Sequence, residues 1–287
     1  VAAATPSVLH RMPELPEAET LVRGLRPVLT GRRIVQARIH HADVLRMPAR
    51  RFRDRVRQRR ITAVERRAKN VVLRLDDGIL VVNLGMTGWL APFGLRAADP
   101  PRPTHPAVTF RLDRGRLVFD DVRRFGCVEA LDIDAWRERD AAFGPEPLED
   151  GFTWQVLAQR LATSRSPIRS WLLDQRRVAG VGNIYACEAC YRAGVHPRRP
   201  ARSLSESEAP GLHACIRDVL AGAVAAGGTT IRNYRDAGGD PGEFVRQLAV
   251  YGREGEPCPR CKTDVERVVF GNRSAFFCPR CQPEPDS

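Results

Sequence analysis

Short apolar runs separated by turn sequences fill the first half of the chain. Between residues 34 and 130 these runs are rich in Val, Ile, Leu and Phe, and the turns Asp76-Asp77-Gly78 and Asp113-Arg114-Gly115 separate neighbouring runs. Asp-Gly turns between such runs are typical of β-hairpins. We therefore predict a β-sandwich whose strands include residues 70–75, 79–84, 107–112 and 116–119.

A helical pattern precedes these runs and dominates the second half. Residues 17–29 place apolar side chains three and four positions apart, which predicts a helix packed on the sandwich. The proline-rich residues 144–148 mark a domain boundary. Residues 227–243 form a Gly-rich loop that is longer than most connections between secondary-structure elements, which is typical of a functional loop. Between the boundary and the loop we predict helices at residues 153–162, 167–174, 184–193 and 205–226.

The charge of the chain favours a polyanionic partner. There are 46 Lys and Arg residues against 34 Asp and Glu, a formal net charge of +12, so nucleic acid is the first candidate. Only Lys69 and Lys262 are lysines. A lysine retained in an arginine-rich chain suits chemistry that a guanidinium performs badly, such as proton transfer or imine formation. No apolar run is long enough to cross a bilayer, and we expect a cytoplasmic protein.

Four of the eight cysteines lie near the end of the chain as two C-x2-C pairs. This spacing lets four thiolates close a tetrahedral zinc site, and we predict one structural zinc ion, with two disulfides as the alternative. Strands at 265–270 and 275–277 would place Arg273 at or near a hairpin tip. The isolated pair Cys187 and Cys190 we interpret as core packing. The predicted metal ligands are Cys258, Cys261, Cys278 and Cys281.

The stretch Met12-Pro-Glu-Leu-Pro-Glu-Ala-Glu-Thr20 resembles the start of the formamidopyrimidine-DNA glycosylase family. Seven further motifs and the cysteine hairpin follow in the family's order, so the resemblance covers residues 12 to about 282. The motifs are Arg66-Arg-Ala-Lys69, Leu84-Gly-Met-Thr-Gly88, Asp121-Val-Arg-Arg-Phe-Gly126, Gly144-Pro-Glu-Pro-Leu148, Gly180-Val-Gly-Asn-Ile-Tyr185, Gly227-Gly-Thr-Thr230 and Val250-Tyr-Gly-Arg253.

The resemblance implies an α+β fold and a bifunctional DNA glycosylase and AP lyase of bacterial base excision repair. Such an enzyme excises oxidised purines (8-oxoguanine and formamidopyrimidines) from double-stranded DNA as a monomer and works in the cytoplasm at the nucleoid. The expected domains are a β-sandwich catalytic domain at 12–146, a helix-two-turn-helix domain with a lesion-recognition loop at 147–246, and a four-cysteine zinc finger with a β-hairpin at 247–282. Residues 283–287 would be a tail.

The chemistry of Pro13 fits this activity. A free α-amino group has a pKa near 7.7 to 8, against about 10.4 for lysine, so about a tenth of it is unprotonated at neutral pH. Its attack on the sugar C1′ would expel the base and leave an iminium that permits β- and then δ-elimination. By resemblance, Glu14 is the acid-base partner, Lys69 the proton donor in β-elimination, and Arg273 assists δ-elimination. Glu17 and Glu188 could equally be structural.

The resemblance also implies a set of DNA contacts. Because the damaged nucleotide must leave the helix, the vacated stack has to be filled. Met86, Arg123 and Phe125 match the family's void-filling residues, and Arg123 has the donors to pair with the orphaned base. The remaining predicted DNA-binding residues are His105, Arg165, Asn183 and Arg232.

The eleven residues before Met12 depart from the family pattern. An amide-linked Pro13 has no nucleophilic lone pair, so we expect residues 1–11 to be absent from the mature protein and Pro13 to be its first residue. Two alternatives stay open. The chain could be an endonuclease VIII-type glycosylase for oxidised pyrimidines, although Leu15 and the long loop favour the purine type. It could also be a non-catalytic zinc-containing DNA-binding protein in which Pro13 stays acylated.

Overall fold

The computed structural model describes residues 13–230 and 234–284. The first half is built mainly of β-strands, as predicted, and the second half mainly of helices. The helices are α1 (Leu15–Leu29), α2 (Ala49–Val56), α3 (Ile133–Ala141), α4 (Trp154–Leu161), α5 (Ile168–Leu173), α6 (Asn183–Arg192) and α7 (Ala209–Ala225). The strands are β1 (Arg33–Ile39), β2 (Arg59–Arg67), β3 (Asn70–Leu75), β4 (Ile79–Asn83), β5 (Gly88–Phe93), β6 (Pro106–Leu112), β7 (Arg116–Asp121), β8 (Cys127–Leu131), β9 (Glu266–Phe270) and β10 (Arg273–Phe277).

Eight antiparallel strands form one folded sheet in the order β5-β7-β6-β1-β2-β3-β4-β8. Strands β1 and β2 pair only through Arg33 with Arg60 and Ile34 with Arg59, so this junction divides the sheet into two four-stranded halves. Both halves contribute to a single apolar core, and Leu21 and Leu25 of α1 close it. The predicted β-sandwich with a flanking helix is therefore confirmed.

The second core joins the helical region to the start of α1 and to the cysteine hairpin. It contains Trp171 of α5, Tyr185 of α6 and Leu220 of α7, together with Leu15 and Phe276. A residue from the first helix and a residue from the last strand thus share one hydrophobic interior. This packing brings the N-terminus of α1, the N-terminus of α6 and the β9–β10 hairpin to the same place.

Several element boundaries differ from the sequence prediction. Helices α2 and α3 were not predicted, because α2 buries only Phe52 and Val56 and α3 buries only Trp136, too few apolar positions for a clear periodicity. The predicted helix 205–226 begins later, at Ala209, where Pro210 stands in the first turn, a position that favours helix initiation. Among the helices of the described residues, none has the length and apolar character needed to span a bilayer.

Candidate active site

Glu14 sits at the N-terminus of α1 and faces the N-terminus of α6. Its side-chain Oε1 accepts a hydrogen bond of 3.0 Å from the backbone N–H of Ile184, and Leu15 N–H donates to the Gly180 carbonyl at 3.0 Å. The free N–H groups at a helix start favour a carboxylate. A Cβ at Gly182 would overlap the Glu14 carboxyl carbon, so only glycine leaves room for this arrangement.

Burial makes Glu14 a weaker acid than an exposed glutamate. The residue is 3% exposed, and its Oε2 has no hydrogen-bond partner among the described residues. Desolvation raises the pKa of Glu14 to about 7, the nearby Lys69 opposes this shift, and Glu17 adds to it. A carboxyl with a pKa near neutrality can both donate and accept a proton, which general acid-base chemistry requires.

Glu17 connects three parts of the site. Its carboxylate accepts hydrogen bonds from the backbone N–H of Glu14 at 2.8 Å and of Thr229 at 2.7 Å, and from the Tyr185 hydroxyl. Burial raises its pKa. These three hydrogen bonds give Glu17 a structural role. Through Glu17, the start of α1 is tied to α6 and to the Gly-rich loop.

Lys69 lies in the turn between β2 and β3. The preceding Ala68 adopts a left-handed backbone conformation with φ of +52°. Both of its backbone groups are bonded: its N–H donates to Glu146 Oε1 at 2.7 Å, and its carbonyl accepts from Arg66 Nη1 at 3.0 Å. This clamp fixes the turn. Burial lowers the pKa of Lys69; Glu14 opposes the shift, and the like charge of Arg273 adds to it.

Arg273 is the first residue of β10, directly after the two-residue turn Gly271-Asn272, in which both φ angles are +57°. It therefore lies beside the hairpin tip, as predicted. The buried Arg169 donates from Nη2 to the carbonyls of Phe270 (3.1 Å) and Arg273 (2.9 Å). These bonds attach both sides of the turn to helix α5.

A cavity of about 300 Å³ brings three of the four predicted catalytic residues together. Glu14, Lys69 and Arg273 line it, with one carboxyl facing two cations. Pro13 is not among its lining residues; it directly precedes Glu14 and is half-buried. The other residues lining the cavity are Ala68, Asn70, Asn83, Arg139, Phe143, Leu173, Gln175, Gly182, Asn183 and Tyr251.

The predicted void-filling residues occupy two loops that touch each other. Met86 is half-buried between β4 and β5, whereas Arg123 and Phe125 are exposed between β7 and β8. The Asp121 carboxylate joins the loops by accepting hydrogen bonds from the Thr87 hydroxyl at 2.5 Å and from the Arg123 N–H at 3.3 Å. The Arg123 guanidinium lies 4.6 Å from the centre of the Phe125 ring, which is 55% exposed. An exposed aromatic ring on a loop held by hydrogen bonds is suited to insertion into a base stack.

The other predicted DNA contacts differ in setting. His105 and Arg165 are exposed, and the His105 ring bonds only to Thr104 among the described residues. Asn183 is 8% exposed, and its side-chain amide donates to the Ser274 carbonyl at 2.8 Å, so it also ties α6 to the hairpin. Arg232 lies outside the described residues.

The four predicted metal ligands come together at the base of the hairpin. Their Sγ atoms all lie within 4.8 Å of one another, and Cys258 to Cys281 and Cys261 to Cys278 are 3.9 and 3.4 Å apart. Tetrahedral Zn–S bonds of about 2.3 Å place sulfurs about 3.8 Å apart, so the cluster fits one structural zinc ion. All four thiols are free, which excludes the disulfide alternative in this structure.

Cys187 and Cys190 are fully buried in the helical core, as predicted, and burial raises the pKa of both thiols. Sequence reasoning missed the supporting residues Glu146, Gly182 and Arg169. Glu146 and Gly182 stood within quoted motifs, so the signal was present, but their roles depend on contacts across the chain. Glu188 accepts three backbone N–H bonds from residues 249–251 and is structural.

Comparisons with known proteins agree with this architecture. Residues 12–128 match the formamidopyrimidine-DNA glycosylase N-terminal domain, residues 143–235 its H2TH domain, and residues 255–283 the zinc finger found in FPG and IleRS. The formamidopyrimidine-DNA glycosylase of Chloroflexus aggregans is 48% identical over 274 residues, covering 94% of this chain and 98% of the relative. That of Cereibacter sphaeroides is 44% identical over 283 residues, covering 94% and 100%.

Solved structures give the same result. The MutM (FPG) protein of Thermus thermophilus superimposes with a TM-score of 0.85 at 41% identity, covering 96% of this chain and all of that one. A Lactococcus lactis FPG mutant in complex with Fapy-dG-containing DNA gives 0.86 at 32% identity, covering 95% and 100%. From its domains, its relatives and its fold, the chain belongs to the formamidopyrimidine-DNA glycosylase family.

Proposed function

We propose that this protein is a bifunctional glycosylase and AP lyase that removes oxidised purines from duplex DNA and then cuts the strand. The observation that carries the proposal is the cavity that Glu14, Lys69 and Arg273 line together, since Glu14 directly follows Pro13 in the sequence. Membership of the family supplies the reaction class. The proposed partner is DNA containing 8-oxoguanine or formamidopyrimidine, bound by a monomer in the bacterial cytoplasm, at the nucleoid.

The proposed reaction starts at the Pro13 nitrogen. Its lone pair attacks the sugar C1′ while the glycosidic bond breaks and the base leaves with the bonding electrons. Glu14, protonated in part because its pKa is about 7, supplies a proton to the sugar as the ring opens. The resulting iminium withdraws electrons from C2′, so a C2′ proton can be lost and the 3′ phosphate expelled.

Lys69 and Arg273 then serve the elimination steps. A lysine with a lowered pKa is a stronger acid than one at its ordinary value and gives up its proton more readily, which supports its assignment as proton donor in β-elimination. Arg273 contributes a positive charge to the same cavity and would stabilise the departing 5′ phosphate in δ-elimination. The reaction requires that Pro13 has no residue attached to its nitrogen.

Duplexes with a single defined lesion test this proposal and its rival together. The protein should release 8-oxoguanine and formamidopyrimidine opposite cytosine and leave phosphate at both ends of the resulting gap. Release of oxidised pyrimidines at a far higher rate would favour the endonuclease VIII type. Tight binding of damaged DNA without any base release from a chain beginning at Pro13 would favour a non-catalytic binding protein.

A further inference from the structure

A third cation, Arg139, lines the cavity with Lys69 and Arg273. It belongs to helix α3, and its side chain is 30% exposed. The reaction proposed above gives it no role. Among the described residues that line the cavity, Glu14 is the only acidic one, so these residues together carry an excess of positive charge.

One ion pair holds the Arg139 side chain, and a second one holds the residue that follows it. The Nη1 atom of Arg139 pairs with the Glu129 carboxylate on β8. The next residue, Asp140, accepts a hydrogen bond of 2.5 Å from Arg67 Nε, and Arg67 also donates to the Gly144 carbonyl at 3.1 Å. Since Arg67 stands two residues before Lys69, the end of α3 is tied to the turn that carries Lys69. Arg139 therefore has a fixed position relative to the catalytic lysine.

The guanidinium retains unused hydrogen-bond donors. Arginine carries five N–H groups, and among the described residues Glu129 is the only hydrogen-bond acceptor of the Arg139 side chain. A planar cation with several free donors suits an anion with several oxygens, above all a phosphate. The pairing with Glu129 orients the group without occupying all its donors.

We propose that Arg139 binds a phosphodiester of the DNA strand whose damaged nucleotide occupies the cavity. This proposal rests on the proposed function, because it takes the ligand of the cavity to be DNA. It adds a phosphate-binding residue on α3, outside the motifs that the sequence resemblance supplied. If Arg139 served only as the partner of Glu129, its removal would lower stability and leave the salt dependence of DNA binding unchanged.

The test compares R139Q with R137Q in the full chain. Arg137 is on the same helix, is exposed and pairs with Asp134 at 3.0 Å, so it is a matched control. The probe is a duplex with one tetrahydrofuran abasic-site analogue, titrated from low to high salt. R139Q should bind about 10-fold more weakly at low salt, and the slope of log K against log salt should fall by about 1. R139K should keep the wild-type slope because it keeps the charge.

Duplexes in which one phosphate at a time is replaced by a neutral methylphosphonate identify the phosphate that Arg139 contacts. Replacing the contacted phosphate should weaken binding by the wild-type protein and have no effect on R139Q, as expected for a coupled pair. The proposal is overturned if R139Q has the affinity and slope of R137Q, or if every methylphosphonate weakens both proteins equally. A wild-type protein that shows no preference for the abasic duplex would instead overturn the proposed function.

Discussion

The carboxylate of Glu14 and the backbone N–H of Ile184 are joined by a hydrogen bond of 3.0 Å across 170 residues of sequence. This contact places the carboxyl that we propose as the acid-base group on the first turn of a helix in the second half of the chain. It is possible only because residue 182 has no side chain. The arrangement makes the start of α6 part of the active site.

Gly182→Ala should therefore disable excision. The added methyl group would overlap the Glu14 carboxyl and displace it from Ile184, and a displacement of about 1 Å can cost about 100-fold in rate. Single-turnover release of 8-oxoguanine measures the effect. Gly151→Ala is the control, because its added Cβ meets no atom within 4 Å. Equal rates for the two variants would show that the position of Glu14 is not critical.

Glu14→Gln should change how stability depends on pH. The pKa of Glu14 in the folded protein, about 7, lies above its ordinary value of 4.5. The stabilising contribution of the protonated carboxyl is thus complete below pH 4.5 and is lost as the pH rises through 7. Wild type should lose up to about 3 kcal/mol relative to the variant between pH 4.5 and pH 8.

Urea unfolding at several pH values measures this difference. A variant of the exposed Glu206, Glu206→Gln, is the control and should follow the wild-type curve. If the curves of wild type and Glu14→Gln stayed parallel over the whole range, the pKa of Glu14 would not be raised by folding.

Lys69→Met should separate the two activities of the enzyme. The attack on the sugar C1′ that releases the base depends on Pro13 and Glu14, so the covalent adduct should still form. Strand cleavage at a preformed abasic site should slow by about 100-fold or more. Lys262→Met is a matched control because Lys262 is the other lysine of the chain and its Nζ donates to the Pro259 carbonyl at 3.5 Å, away from the cavity lining. Cleavage by Lys69→Met at the rate of Lys262→Met would contradict the assignment.

Removal of zinc should destabilise the helical core as well as the hairpin. Cys258 and Cys278 are buried in the core that also contains Trp171 and Tyr185. Chelation should lower the melting temperature by about 10 °C and abolish binding of damaged DNA, and added zinc should restore both. Cys215→Ser lies outside the cluster and should retain its zinc. An unchanged melting temperature of the metal-free protein would show that zinc binding by the cysteines does not stabilise the fold.

The sequence predicted the elements whose pattern is local. The hairpins between β3 and β4 and between β6 and β7 follow from the turns Asp76-Asp77-Gly78 and Asp113-Arg114-Gly115, and the zinc cluster follows from its cysteine spacing. Helix α3 was not predicted because Trp136 is its only buried residue, and one apolar position gives no helical periodicity. Arg139, which that helix carries into the cavity, was missed for the same reason.

The candidate site was predicted through motifs, whereas its supporting contacts were not. Nothing local in the sequence shows that Glu146 binds the Ala68 N–H, that Arg169 holds the Phe270 carbonyl, or that the Gly182 position faces Glu14. These contacts join residues far apart in the chain, and they depend on how the two cores pack. Residue types indicate the chemistry here, and tertiary structure sets the pKa values.

The central claim is that the Pro13 nitrogen forms a covalent bond to the sugar of the damaged nucleotide. Borohydride trapping on a duplex with 8-oxoguanine opposite cytosine tests it most directly, with chains that begin at Val1 and at Pro13 compared side by side. The account predicts a stable protein–DNA adduct at Pro13 from the shorter chain and none from the longer one. Equal adduct yields from both chains, or an adduct mapped to a lysine, would contradict it.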